Sequence, residues 1–62
     1  MQAEIAAGIR HLKEAAAHLS EAAEAIAEAD KAAAADIEQI LQLVRGEIAT
    51  LAGMVSQDSP EN

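Results

Sequence analysis

Large apolar residues recur along this chain at alternating spacings of four and three, and the alternation fails once. Ile5, Ile9, Leu12, Leu19 and Ile26 mark a first run, with Ala16 and Ala23 at the intervening positions. Ile37, Leu41, Val44, Ile48, Leu51 and Val55 mark a second, widened by Ile40, Leu43 and Met54. This is the heptad spacing of a helix with one apolar stripe. Between Ile26 and Ile37 the spacing is eleven, so the heptad register breaks there. What the chain can fold into depends on how that break is resolved.

Two resolutions compete. A continuous coiled coil absorbs a four-residue insertion by local unwinding, and the four Ala of "EADKAAAAD", with no Gly or Pro, favour unbroken helix. A turn is the other. Asp36 followed by Gln39 fits a helix-start pattern, and Asp30 falls on the seam, where an uninterrupted core would bury a carboxylate at cost. A single helix of about 54 residues would also be about 80 Å long and offer a partner only a thin apolar seam from its first half. The expected fold is therefore all-α: an antiparallel helical hairpin over residues 1–57, pairing into a four-helix bundle, with a single long coiled-coil helix as the alternative. The expected bounds are a helix over about 3–29, a turn within 29–35, a helix over about 35–57 and a disordered tail at 58–62, with the composition changing in "SQDSPEN".

Size makes association the expected route to stability. A chain of 62 residues is one domain and buries only about 60% of its unfolded surface. It has no Cys to cross-link it and no Phe, Trp or Tyr to supply large contact areas. The residues expected to drive self-association are Ile37, Ile40, Leu41, Val44, Ile48, Leu51 and Val55, because the second run is richer in bulk than the first can cover. Dimers are the favoured homo-oligomer.

The repeat "HLKEAAA", "HLSEAAE" then asks why Ala stands where a core should be. Gly8, Ala15, Ala16, Ala22 and Ala23 form a strip of small residues that lets two helix axes approach closely, and Ala loses no side-chain entropy on packing. These five are the expected close-packing residues. In the second helix Gly46, Ala49, Thr50 and Gly53 form another small strip. A mid-helix Gly costs about 1 kcal/mol relative to Ala, so this strip is the expected contact for a further helix or a partner protein.

Composition excludes other classes of function. Eleven Asp and Glu against four Lys and Arg give a net charge of −7, the wrong sign for holding phosphates, so no direct nucleic-acid binding is expected. The polar half of the repeat pairs His11 with Glu14 and His18 with Glu21. Two ligands per pair, with the two His about 10.5 Å apart along the helix, make a metal site less favoured than exposed His–Glu pairs. No catalytic constellation, Gly-rich phosphate loop or cofactor motif is present, and no enzyme is expected. No apolar run is long enough to span a membrane, and a basic segment leading into an apolar core is absent from the start. A cytoplasmic protein is the default expectation. The functional expectation is a self-associating assembly or adaptor module, with an acidic inhibitor that occupies a basic nucleic-acid-binding cleft of another protein as the alternative.

A hairpin of this length is similar in architecture to the Rop-type plasmid copy-control proteins, and "EADKAAAADI" resembles their turn region. The resemblance covers about a dozen residues and implies a four-helix bundle. It does not extend to RNA binding, because Glu14, Glu21 and Glu28 occupy the comparable surface. The helical hairpins of type VII secretion families are a second analogue in shape, but their turn motif contains a Trp that this chain lacks.

Overall fold

The computed structural model describes residues 2–57, with side chains through Val55; the tail expected at 58–62 lies outside the described residues. Two helices, α1 (Gln2–Ala27) and α2 (Lys31–Gln57), pack against each other as a hairpin. It is a rod of 50 × 14 × 13 Å. Its radius of gyration is 14.6 Å, where a compact chain of this length would have about 10.5 Å.

The break in the heptad is a turn, and it comes earlier than the sequence suggests. Residues 28–30 connect the helices, and the four Ala after Lys31 are already helical. The expected start at Asp36 is corrected by the hydrogen bonds around Asp30. Its Oδ1 accepts the backbone N–H groups of Ala32 at 3.0 Å and Ala33 at 3.1 Å, and its carbonyl accepts the Ala34 N–H at 3.1 Å. Asp30 is therefore the N-cap, satisfying two of the donors that a helix start leaves orphaned. Asp36 lies exposed one and a half turns inside α2. The feared burial of Asp30 does not arise, since it is exposed at the turn.

The turn needs no glycine. The Ala29 and Asp30 N–H groups both donate to the Ile26 carbonyl, at 2.9 and 2.8 Å, which tightens the end of α1. No described residue has a positive φ. A chain of ordinary L-residues makes this turn without visiting the left-handed region.

The core is small in both senses. Ala16 and Ala23 of α1 and Ala34 and Leu41 of α2 are the buried hydrophobic residues. Ala34 was not picked out in the sequence, yet it sits three residues before Ile37 and continues the seam backwards toward Asp30. Leu41, 6% exposed, is the one large side chain the hairpin buries among the described residues. Ile5, Ile9, Leu12, Leu19 and Ile26 of α1, and Ile37, Val44, Ile48, Leu51 and Val55 of α2, are half-buried. A buried Ala pair near the turn lets the helices meet closely there. Among the described residues no helix is long and apolar enough to cross a membrane.

Candidate interaction surface

Each helix turns by about 100° per residue, so a seam residue's flanks follow from its number. Because α2 runs back along α1, equivalent flanks of the two helices lie on the same side of the hairpin. An open depression of about 360 Å³ displays this on one side, lined by Lys13, Ala16 and Ala17 from α1 and by Arg45 and Ile48 from α2. This is the polar side. Ser20, Glu24, Glu38 and Gln42 flank the seams there with the two cations. Among the described residues no buried side-chain polar atom lacks a hydrogen-bond partner, so nothing buried is left asking for a ligand.

The opposite flanks build a different surface. From α1 come Gly8, Ala15 and Ala22, seven residues apart in a row, with His11 between the first two. From α2 come Ile40, Glu47, Leu51 and Met54, with Leu43 at the outer edge. Ile40 is 50%, Met54 45% and Leu43 74% exposed. Half-buried Leu12, Leu19, Ile26, Ile37, Val44 and Leu51 lie on this side of the line joining the two helix axes, whereas buried Ala16, Ala34 and Leu41 lie on that line or just beyond it. The apolar stripes are thus aimed partly at each other and partly at one broad face of the hairpin.

Several expected site residues change place. Of the small residues, Ala16 and Ala23 are buried between the helices and Ala22 is half-buried, but Ala15 is exposed. Ala15 does not pack within the hairpin because it lies about a quarter-turn off the axis-to-axis line. Gly8 is half-buried, but an added Cβ there would meet nothing within 4 Å, so no close approach in the hairpin requires it. The residues assigned to self-association divide likewise. Leu41 is spent inside the hairpin; Ile37, Val44, Ile48, Leu51 and Val55 are shared between seam and surface; Ile40 is free. Gly46, Ala49, Thr50 and Gly53 face solvent on the back of α2, with open space beside both glycines. The Thr50 hydroxyl donates to the Gly46 carbonyl at 3.1 Å, which ties it to its own helix.

The His–Glu pairs stay on the surface. His11 Nδ1 lies 4.0 Å from Glu14 Oε1, with both side chains more than two-thirds exposed, a distance and setting of little energetic value. His18 and Glu21 are exposed as well. Among the described residues no three His, Cys, Asp or Glu gather where they could hold a metal ion. The chemistry this surface offers is burial of apolar area with a few charges at its margin. Comparison with protein-family models, with curated proteins and with solved structures finds no match.

Proposed function

We propose that this protein is a self-associating helical module that assembles through the apolar face of its hairpin and presents the rest of its surface to another protein. The observation that carries this is the mismatch between stripe and cover. Fourteen large apolar side chains mark the two helices, and Leu41 alone among them is buried. A protein of this size leaves such a face exposed when another surface covers it. The charged residues favour assembly over the acidic-inhibitor alternative. Glu14, Glu21 and Glu28 lie on the back of α1, while Glu24 and Glu38 share the polar side with Lys13 and Arg45. Charge of both signs spread around a rod suits solubility more than mimicry of a phosphate track.

The test is linkage. A folded state that exists as an oligomer has a thermal midpoint that rises with protein concentration. Sedimentation equilibrium and thermal unfolding across a hundredfold concentration range should give a mass above one chain and a rising midpoint. A monomeric mass with a constant midpoint overturns the proposal.

A further inference from the structure

Resting on the self-association proposed above, the geometry points to one arrangement of the second copy. We infer that two hairpins stack apolar face to apolar face about a two-fold axis parallel to the helices, so that each α2 lies antiparallel on the partner copy's α1. The large side chains of α2 then fill the row of small residues on α1, and each copy contributes both halves of the contact.

Area supports a second copy as the occupant. A broad face of the 50 × 14 × 13 Å rod presents roughly 700 Å² in projection, of the order of the ~800 Å² that each partner contributes to a standard stable interface. A second rod of the same length covers this face along its whole extent.

Shape and charge then choose among the ways of stacking. An axis across the helices would put α2 on the partner's α2, setting Ile40 and Met54 against bulk, and α1 on α1, leaving Gly8, Ala15 and Ala22 facing one another across unfilled space. It would also gather Asp36 and Glu47 of both copies on the α2 side and His11 of both on the α1 side. The axis along the helices reverses each mismatch. Large faces small, and facing helices interdigitate best that way. Height along the rod follows from the register of the hairpin, which brings each Glu47 within about one helical turn of the partner copy's His11. Ile40 comes close to the height of Ala22 by the register in which Lys13 faces Ile48 across the polar depression. Leu12, Leu19, Val44 and Leu51 close into the centre of the four helices. This also answers the question the Ala repeat raised. Ala16 and Ala23 set the spacing inside the hairpin, whereas Gly8, Ala15 and Ala22 leave room for the next one.

Ala22→Cys and Ile40→Cys chains, each carrying one thiol in an otherwise Cys-free protein, test the arrangement when mixed, re-equilibrated and oxidised. The expected product is a mixed disulfide dimer exceeding either homodimer. A protein that is dimeric by mass but gives homodimers alone, or no cross-link, refutes the stacking and leaves self-association standing; a monomeric mass for the wild-type chain overturns both. As a second measurement, Ala22→Glu should raise the dimer Kd at least about tenfold by burying an unpaired carboxylate, while Ala17→Glu on the polar side leaves it unchanged. Equal effects of the two would also refute the stacking.

Discussion

The two helices solve opposite problems with the same spacing. α1 buries two alanines and none of its large side chains, while α2 buries one alanine and one leucine and leaves three large side chains exposed. If hydrophobicity decided burial, Ile9 and Leu12 would be inside and Ala23, 3% exposed, would not. Position decides instead. With only two helices, the strip that contacts the neighbour is narrow, and a residue on the line between axes is covered whatever its size. A third and fourth helix are what large residues to one side of that line need, so the difference between α1 and α2 measures how incomplete a lone hairpin is.

The sharpest way to break this comparison is to place a charge on and off that line within α2. Leu41→Asp buries an unpaired carboxylate at the one large core position, a cost of several kcal/mol that rivals the whole stability expected of a chain this short. Circular dichroism should show loss of the helical fold at low concentration. Leu43→Asp, two residues on, should keep the helical signal and change stability by less than about 1 kcal/mol. If both variants unfold alike, exposure in the hairpin does not govern tolerance.

A smaller effect compares Ala with Ala along α1. Ala16→Leu and Ala23→Leu force bulk into the covered strip and should cost about 1–3 kcal/mol each. Ala17→Leu, exposed one position away, should shift stability by less than about 0.5 kcal/mol. Denaturant titration of the three variants separates packing from propensity, because the substitution is identical. Stabilisation at Ala16 and Ala23 would mean that the seam was underfilled.

The smallest effect sharpens where the two helices part. Asp30→Ala removes the cap and should lower stability by about 1 kcal/mol. Asp36→Ala removes no cap and replaces a weaker helix former with a stronger one, so thermal unfolding should show no loss. The reverse order would return the helix start to the position the sequence first suggested.

The two-helix character, the seam residues and the existence of a turn could be read from spacing, because apolar periodicity survives any packing arrangement. The position of the turn could not. Asp30 and Asp36 are both acceptable caps, and the pattern around Asp36 looked stronger because Gln39 follows it at capping-box distance. What selects Asp30 is its place two residues before a run of four Ala, whose side chains lose no entropy in a helix. Ala34 was overlooked for a related reason, since in an Ala-rich segment a seam Ala looks like every other Ala. Ala15 is exposed in the hairpin because a strip of small residues that is continuous in sequence is divided by the fold between the inside of the hairpin and its face. Gly46 and Gly53 suggested a crossing helix, and the hairpin supplies none.

The turn at residues 28–30 also sets the order in which the rod comes together. Closing a loop costs more entropy the more chain it encloses, by about 0.6 kcal/mol for each doubling. Ala23 and Ala34 enclose the shortest segment of any buried pair across the turn, while Ile5 and Val55 enclose nearly the whole described chain. Meeting of the helices therefore begins beside the Asp30 cap and runs outward like a zip, and opening runs the other way. Amide protons should exchange fastest at the end of the rod where the two termini lie and slowest around Ala23 and Ala34 beside the turn, giving a uniform-looking pair of helices a gradient of persistence along its length.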